Sequence, residues 1–567
     1  MITEHNQLDP DVQVLLPDGR VLKGPRGTKL ETFLKVIPEW RQVPIVGAIV
    51  NTELRELTFP VDMDCKVQPL NISDADGARI YRRSITFLME AAFEEIFPDV
   101  LLTVDHSVSS GGYYCEVTNH APLTKAELSA LQSRMEELVE ANLLFERQHI
   151  ALGEAVEYFT QKGQMDKIRL LKYRAKPYLI LYKLGKHKDY HHGYMVPSTG
   201  YLRWFDLRQL GDGFVLRFPR RHHPTELPPL PESATLVRTF RQYGDWLERM
   251  GIPNVGALND AIREQKMREV ILIAEALHEQ KISDIASQIM ALKGKVRIVL
   301  ISGPSSSGKT TFSKRLAIQL LAQGGDPFAL ELDNFFVDRE KTPLDENGQY
   351  DFESIDAVNT PLLNQSLRQL IAGENVRLPR YNFKLGLSEP GEVVQLSSDQ
   401  IMLLEGIHGL NPRLLEDIPP EKTHRLYVSS LTQLNLDRYN RISTTDTRLI
   451  RRIVRDARER GYNALQTIQR WESVRRGERK YIFPYQENAQ EIFNSALSYE
   501  LAALKPFAEP LLRQVPFGTP EQIEAKRLLA LLEWFVPLDI SLVPDNSLLR
   551  EFVGGSILHD FKLWKME

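Results

Sequence analysis

Residues 296–311 (VRIVLISGPSSSGKTT) are the most informative stretch for the fold in this chain of 567 residues. An apolar strand pattern at residues 296–301 leads into a glycine-rich loop, and a helix-forming segment follows until Gly324 and Gly325. Strand, loop and helix in this order predict an α/β domain with a phosphate-binding loop, or P-loop. Gly303 and Gly308 permit the backbone to curl, so that several N–H groups face one anion at the positive end of a helix. The alternative is an accidental glycine-rich turn, which the flanking segments make a poor explanation.

The loop also predicts the cofactors ATP and Mg²⁺. The Lys309 ammonium can reach the β- and γ-phosphates as a point charge, and the Thr310 hydroxyl can ligate Mg²⁺. The residues predicted to hold the nucleotide are Gly303, Ser305, Ser306, Ser307, Gly308, Lys309, Thr310 and Thr311.

Two acidic residues follow apolar strand patterns on the C-terminal side of the loop. Residues 328–333 (FALELD) end in Asp333, and residues 401–405 (IMLLE) end in Glu405. Ligands of open parallel sheets lie beyond the carboxyl ends of the strands, so both acids are expected beside the loop. Asp333 suits the base that accepts a proton from a hydroxyl, and Glu405 suits the metal shell, directly or through water. Each could instead be a helix cap or a turn acid.

Residues 448–460 (RLIRRIVRDARER) carry arginines at helical spacing on one face and aliphatic residues on another. A mobile lid that closes guanidinium groups over a transferring phosphate has this pattern. A solvated basic helix would have the same pattern.

Composition narrows the class of protein. The chain is 43% hydrophobic and 26% charged with a net charge of −5, which does not indicate a dedicated nucleic-acid binder. Cys65 and Cys115 are the only cysteines, too few for a disulfide framework or an all-cysteine zinc site. Residues 1–9 lack the apolar core of a signal peptide, and no run reaches the roughly 18 apolar residues of a membrane span. We therefore expect a cytoplasmic protein without a membrane partner.

The rest of the chain reads as further units. Residues 11–70 predict short strands and turns, residues 124–148 and 151–161 predict charged helices, and the prolines of 224–231 predict a boundary. The histidines of 187–192 and of 222–223 fit no standard ligand spacing, so a solvated polar loop is expected there rather than a metal site.

Six ordered motifs over about residues 290–505 resemble the uridine kinase and phosphoribulokinase family. They are residues 303–310 (GPSSSGKT), 333–336 (DNFF), 350–352 (YDF), 379–383 (PRYNF), 405–407 (EGI) and 446–452 (DTRLIRR). The resemblance implies a doubly wound P-loop kinase. In the chemistry that it implies, the catalytic residues are Asp333, Lys309, Arg452 and Arg455; the acceptor contacts are Asp351, Tyr381, Arg448 and Arg470; and the metal contacts are Thr310 and Glu405.

The acceptor side departs from the uridine kinase pattern. Phe352 and Glu353 stand where those kinases have histidine and proline, and Gly386 stands where they have a histidine. Tyr462 and Arg470 replace an arginine and a glutamine that contact the nucleoside. The resemblance therefore supports a kinase more firmly than it supports uridine as the acceptor.

The N-terminal half resembles a different enzyme. Residues 11–70 are similar to the TGS domain, a β-grasp module of threonyl-tRNA synthetases, and residues 73–220 are similar to their editing domain through the strings DHS (105–107), GYY (112–114) and VPSTG (196–200). The synthetases place two histidines, a cysteine and a third histidine in the editing site; the matching residues here are Arg83, Phe87, His191 and Met195. Arginine, phenylalanine and methionine side chains cannot build a zinc site around the single imidazole of His191, so the resemblance implies a degenerate metal site.

These features predict an α/β protein with a doubly wound P-loop kinase domain behind a β-grasp domain and an α+β domain. The predicted boundaries are 1–72 (TGS-like), 73–225 (editing-like), 226–290 (helical connector), 291–510 (kinase) and 511–567 (helical extension). The predicted activity is transfer of the γ-phosphate of ATP to a nucleoside-like small molecule, with an RNA contact through the N-terminal half and a homo-oligomer as further expectations. The alternative is a nucleotide-gated RNA- or ribosome-associated regulator whose P-loop acts only as a switch.

Overall fold

A computed structural model describes residues 10–108, 111–227, 229, 234–346, 348–432 and 434–561. Within these residues the chain forms six sheets and fifteen α-helices. No helix in the described part is both long and apolar enough to cross a bilayer. Cys65 and Cys115 are buried free thiols.

The first unit is a small mixed sheet covered by one short helix. Its elements are β1 (Asp11–Leu15), β2 (Val21–Pro25), β3 (Thr28–Lys29), α1 (Leu30–Leu34), β4 (Ile45–Val50), β5 (Glu53–Arg55), β6 (Pro60–Val61) and β7 (Cys65–Asn71). The main sheet has the order β2-β1-β7-β4-β5, with β1 and β7 parallel at its centre. Alternation along β1 buries Val12 and Val14 against Phe33 of α1, so this unit has its own core.

The second unit packs one long helix against two antiparallel sheets. Its elements are α2 (Ala75–Ile96), β8 (Leu101–Ser107), β9 (Tyr113–Thr118), α3 (Lys125–Glu140), β10 (Glu146–Ala151), α4 (Leu152–Gln161), α5 (Met165–Leu171), β11 (Tyr178–Leu184), β12 (His187–Tyr190), β13 (Asp206–Leu210) and β14 (Gly213–Arg217). The sheet orders are β10-β11-β12 and β13-β14-β9-β8.

The helix predicted over residues 124–148 is shorter than expected. Thr124 and Glu127 form a capping box at its start, and α3 ends at Glu140. Asn142 has a positive φ of 49°, which turns the chain out of the helix and into β10. The end of this prediction was wrong because a charged segment with helical composition continues into a strand.

A helical connector joins this unit to the P-loop region. It consists of α6 (Ala234–Arg249), α7 (Val255–Arg263) and α8 (Met267–Ala291). The proline-rich boundary predicted over residues 224–231 lies partly outside the described residues.

The C-terminal region is built on a five-stranded parallel sheet. Its elements are β15 (Ile298–Ser302), α9 (Lys309–Ala322), β16 (Pro327–Glu331), α10 (Thr360–Ile371), β17 (Val376–Asn382), β18 (Leu387–Val394), β19 (Ile401–Glu405), β20 (Thr423–Ser429), α11 (Thr444–Arg455), α12 (Ala464–Tyr481), β21 (Glu491–Asn494), α13 (Glu500–Arg513), α14 (Glu521–Leu532) and α15 (Arg550–Val553). The sheet order is β16-β19-β15-β20-β21, and every neighbouring pair is parallel. All five residues of β15 are buried, as expected for a central parallel strand.

One hydrophobic core crosses the boundaries between units. It contains Phe159 of α4, Leu258 of α7, Phe312 of α9 and Phe552 of α15. The second unit, the connector and the P-loop region therefore share buried surface. Most buried side chains of the first unit form a core of their own, while Val46 of β4 joins the core of the second unit.

Candidate active site

The glycine-rich loop connects β15 to α9 as the sequence predicts. Gly308 has a φ of +86° directly before the first residue of α9. A side chain at Gly303 would lie 2.0 Å from the carbonyl oxygen of Val428, so glycine is required where the loop passes β20. Lys309 is buried and its Nζ donates to the carbonyl oxygen of Pro304 at 3.2 Å, which folds the ammonium back over the loop.

The predicted acids lie at the carboxyl edge of the sheet beside this loop. Glu331 is paired in register with Glu405 across β16 and β19, and Asp333 follows in the next turn. The Thr310 hydroxyl donates to Glu405 Oε2 at 3.1 Å. Lys309 is the main positive charge acting on both Asp333 and Glu405. The structure thus brings Lys309, Thr310, Asp333 and Glu405 together at the carboxyl edge of the sheet.

Partial removal from bulk water shifts the pKa of both acids, although the Glu405 side chain is only half-buried and that of Asp333 is exposed at the sheet edge. It raises the pKa of Glu405 to about 7, with Asp333 and Glu551 adding repulsion and Lys309 opposing it. It also raises the pKa of Asp333, again against the pull of Lys309. Carboxylates whose charge is this poorly compensated are typical of sites that receive a cation or a proton.

Arginines of α11 hold the loop from the other side. Arg452 Nη1 donates to Ser305 Oγ at 2.8 Å, and its Nε donates to Asp456 at 3.2 Å. Arg455 is 3.1 Å from the same Asp456 carboxylate. Arg452 therefore contacts the loop directly, whereas Arg455 contacts the Asp456 carboxylate that Arg452 also contacts.

Arg448 occupies a different place from the predicted acceptor contact. It is 1% exposed, forms a buried ion pair with Glu478 and donates to the carbonyl oxygen of Ser305 at 3.0 Å. Glu478 in turn accepts from the Ser305 N–H at 3.2 Å. Because both terminal guanidinium nitrogens are bonded inside the protein, to Glu478 and to the Ser305 carbonyl oxygen, Arg448 braces the loop. No local sequence pattern predicts the role of Glu478, which belongs to a separate helix, α12.

The C-terminal segment around Leu548 and Glu551 covers the end of the loop. The sequence did not predict this contact. Glu551 Oε2 accepts from both the N–H (3.2 Å) and the hydroxyl (2.7 Å) of Thr311, a residue predicted to hold the nucleotide. Leu548 lies so close to Gly308 that a Cβ there would be 2.5 Å from it. Arg458 donates to the carbonyl oxygen of Glu551 at 2.8 Å, which joins this segment to the arginine helix.

The predicted acceptor residues are less closely grouped. Asp351 accepts from the Tyr481 hydroxyl at 3.5 Å, and Tyr381 packs between aromatic rings with a hydroxyl that has no hydrogen-bond partner among the described residues. Arg470 is exposed and its guanidinium stacks 4.0 Å from the ring of Tyr462. No contact found in the described parts of the chain joins Arg470 to Asp351 or Tyr381.

The histidines of the second unit correct one expectation. His187 and His191 are each 5% exposed, so they do not lie on the solvated loop predicted for residues 187–192. They are buried because β12 runs under α2 and packs against Phe87. His222 and His223 are exposed, in keeping with the prediction.

The matching editing-site positions carry no zinc-binding set. Arg83 donates to the carbonyl oxygen of Tyr194 at 2.5 Å, while Phe87 and Met195 are buried apolar side chains.

Comparison with known proteins divides the chain into two parts. Residues 298–501 match the Phosphoribulokinase / Uridine kinase family. The N-terminal half matches threonine–tRNA ligases: that of Clostridium kluyveri is 27% identical over 190 residues, 33% of this chain and 30% of the ligase. That of Symbiobacterium thermophilum is 29% identical over 205 residues, 36% of this chain and 31% of the ligase. The chain spans slightly under a third of the length of these curated relatives.

Two solved structures give partial overlaps. One described as a possible uridine kinase from Bacillus stearothermophilus is 24% identical, covering 26% of this chain and 79% of that chain with a TM-score of 0.23. The D-glycerate 3-kinase from Cryptococcus neoformans var. grubii is 15% identical, covering 48% of this chain and 87% of that chain with a TM-score of 0.22. TM-scores this low carry no weight for the fold.

Proposed function

Because residues 298–501 fall within the phosphoribulokinase and uridine kinase family, we propose that the chain is an ATP- and Mg²⁺-dependent phosphotransferase. It would transfer the γ-phosphate of ATP to a hydroxyl of a nucleoside-like acceptor. The observation that carries this proposal is the convergence of Lys309, Thr310, Asp333 and Glu405 at one end of a parallel sheet. A structural loop would not need two poorly compensated carboxyl groups beside a buried ammonium group.

The residues around Glu405 fit a magnesium ion. The Thr310 hydroxyl and the Glu405 carboxylate already lie 3.1 Å apart, and Mg²⁺ prefers oxygen ligands of these kinds. The pKa of Glu405 near 7 reflects a charge that burial disfavours, and a cation would offset that cost. When bound, Mg²⁺ would neutralise charge on the nucleotide phosphates.

The remaining roles follow from charge and position. Lys309 would hold the β- and γ-phosphates, and Asp333 would orient the acceptor hydroxyl and take its proton. Arg452 already touches the loop through Ser305, so it could move to a phosphate by a small rotation. Arg455 would have to exchange the Asp456 carboxylate for phosphate oxygens, which fits a lid that closes on the substrate.

The acceptor is proposed only by class. Asp351 offers a carboxylate to a diol such as a ribose, and Tyr381 offers an unpartnered hydroxyl. Gly386 supplies no side-chain donor, and Arg470 is engaged with Tyr462. A site that reads a base through hydrogen bonds loses its selectivity when those partners are missing. We therefore expect uridine and cytidine to be poor substrates, with KM values at or above the top of the roughly micromolar-to-millimolar range of enzymes.

The N-terminal half supports a second candidate. The central parallel pair of the first sheet is consistent with a β-grasp TGS domain, and the likeness to threonine–tRNA ligases supports an RNA contact. Glu551 also holds Thr311 of the loop, as expected if nucleotide binding moves the C-terminal segment. In this alternative the chain is a nucleotide-gated RNA- or ribosome-associated regulator without a small-molecule acceptor.

An assay of ADP release over a panel of nucleosides and phosphorylated sugars separates the two candidates. For the kinase we expect at least one acceptor to accelerate ADP release. Lys309→Ala should reduce that rate by at least about 10²- to 10³-fold, the scale of losing one phosphate-stabilising contact. ATP binding without stimulation by any acceptor, together with a response of ATP turnover to RNA, would favour the regulator.

A further inference from the structure

A buried polar cluster, here called the Glu90 cluster, lies in the second unit away from the P-loop. It consists of Glu90 on α2, His187 and Asp189 on β12, and His191 just after that strand. The four side chains are 1%, 5%, 0% and 5% exposed, respectively. Burying this many ionisable groups together is costly unless each finds a partner.

Three of these residues have atoms without a partner. Glu90 Oε1, His187 Nε2 and Asp189 Oδ2 are buried and make no hydrogen bond to any described residue. One potential ligand atom from each of the three residues lies within 4.8 Å of the other two. Orphaned buried polar atoms are uncommon in native proteins, and a convergent set of nitrogen and oxygen atoms is suited to binding a cation.

The orientation of His187 agrees with a ligand role. Its Nδ1 lies 2.5 Å from Glu94 Oε2, and its Nε2 faces Glu90 Oε2 at 3.5 Å. With Nδ1 donating its hydrogen to Glu94, Nε2 keeps a free lone pair directed into the cluster. Histidines that ligate metals are generally held this way by a carboxylate behind the ring.

The charges around the cluster do not balance. Lys167 lies 2.8 Å from Asp189 and 3.2 Å from Asp437, and Lys162 is paired with Glu94. The carboxylates are Glu90, Glu94, Asp189 and Asp437, so four negative charges face two ammonium groups. The remaining two negative charges equal the charge of one divalent cation. Protons on both His187 and His191 would supply the same charge, and these two states exclude each other.

We propose that Glu90, His187 and Asp189 bind one divalent transition-metal ion, with His191 adjacent to it through Glu90. A mixed set of imidazole nitrogen and carboxylate oxygen suits Zn²⁺ or Mn²⁺ better than the hard cations Mg²⁺ and Ca²⁺. This set differs from the editing-site positions, where Arg83, Phe87 and Met195 cannot act as ligands.

The position of the cluster indicates what the ion does. Lys167 links Asp189 of the second unit to Asp437 of the P-loop region, and Asn440 donates to the carbonyl oxygen of Tyr190 at 3.0 Å. Residues 434–442 then lead into α11, which carries the arginines at the loop. An ion in the cluster would stiffen the junction on which α11 rests, so the site is structural.

The test is metal analysis of the full chain without an affinity tag. The protein is stripped with a chelator, incubated with ZnCl₂ or, separately, MnCl₂, and desalted; bound metal and thermal unfolding are then measured without nucleotide. We expect one equivalent of one of these metals per chain and a higher Tm. Failure of the wild-type chain to retain either metal would show that the cluster is balanced by protons and would overturn the proposal.

Substitutions locate the ion. Glu94→Gln keeps the shape behind His187 but weakens the ring's support, and we expect about 10- to 100-fold weaker metal binding. His187→Gln should abolish binding, whereas His149→Gln, at an exposed histidine outside the cluster, should leave it unchanged. Glu405→Gln should also leave it unchanged, which separates this site from the proposed magnesium site. Equal retention of metal in His187→Gln and wild type would contradict the assignment.

Discussion

At the scale of single residues, Asp333 and Glu405 are two acids at one sheet edge with different partners. Lys309 is the main opposite charge acting on both acids, but of the two carboxylates it is that of Glu405 that also accepts a hydrogen bond from the Thr310 hydroxyl. This difference is the basis for assigning the metal to Glu405 and the acceptor proton to Asp333.

Asp333→Asn tests the proton-accepting role. The amide keeps the shape of the side chain but cannot take a proton, so we expect the transfer rate to fall by about 10²- to 10⁴-fold. ATP affinity should change little, because Asp333 is not proposed to hold phosphate. Single-turnover kinetics and a separate ATP titration measure the two quantities. Asp326→Asn, at the opposite end of β16, is the control and should behave like wild type. A loss of ATP affinity with an unchanged chemical rate would make Asp333 a structural or metal residue.

Glu405→Gln tests the origin of the raised pKa. The carboxyl group has a pKa near 4.5 when unperturbed and about 7 in the folded chain, so folding favours the protonated form. Below both pKa values Glu405 is protonated in the folded and the unfolded state, so its titration does not change the free energy of unfolding. As pH rises from the lower pKa to the higher one, the free energy of unfolding of the wild type falls, whereas that of the glutamine variant does not. We expect the Tm of the variant minus that of wild type to increase from about pH 5 to about pH 8 in the absence of Mg²⁺ and nucleotide. A Tm difference that is independent of pH would show that burial does not raise the pKa of Glu405.

Among the helices, strands and loops, the features that the sequence predicted are those that a short run of consecutive residues determines. The loop, the strand ends with Asp333 and Glu405, and the arginine-bearing helix could all be inferred because each is one local pattern. Glu478 and Glu551 could not, because each acts through a contact between elements that no local spacing encodes. Arg448 shows the same limit, since its pattern fitted a lid and its burial depends on Glu478.

The contact between α15 and the loop gives a prediction for nucleotide affinity. Glu551 takes two donors of Thr311 that we expect a phosphate to need, so ATP must displace this carboxylate. Glu551→Gln weakens the competing contact, and hydrogen bonds to charged groups contribute roughly 1.5–3 kcal/mol. We therefore expect ATP to bind about tenfold more tightly or better, as measured by calorimetry. Asp545→Asn, an exposed acid in the same segment, should leave the affinity unchanged. Weaker ATP binding in Glu551→Gln would mean that Glu551 helps to hold the nucleotide site open.

At the scale of the whole molecule, the units differ in how far they depend on each other. The sequence predicts them as separate units through shifts in pattern and through resemblance. It could not show that Phe159 and Leu258 lie in the same core as Phe312 of the P-loop helix, because burial across units leaves no local signal. Lys167, buried between Asp189 and Asp437, ties the second unit to the P-loop region by charge as well.

Two truncations test this dependence. The first unit has its own core around Val14 and Phe33, so removing residues 1–72 should leave a folded chain that binds ATP. Removing residues 1–225 exposes Leu258 and its neighbours and leaves Asp437 without Lys167. Each large apolar side chain uncovered in this way costs roughly 1.5–3 kcal/mol, against a total stability of about 5–15 kcal/mol. We expect the shorter fragment, 226–567, to aggregate or lose cooperative unfolding, as followed by thermal denaturation and light scattering. If that fragment instead unfolds cooperatively and binds ATP like the full chain, the shared core is not required, and the P-loop region is an independent domain to which the N-terminal half is merely attached.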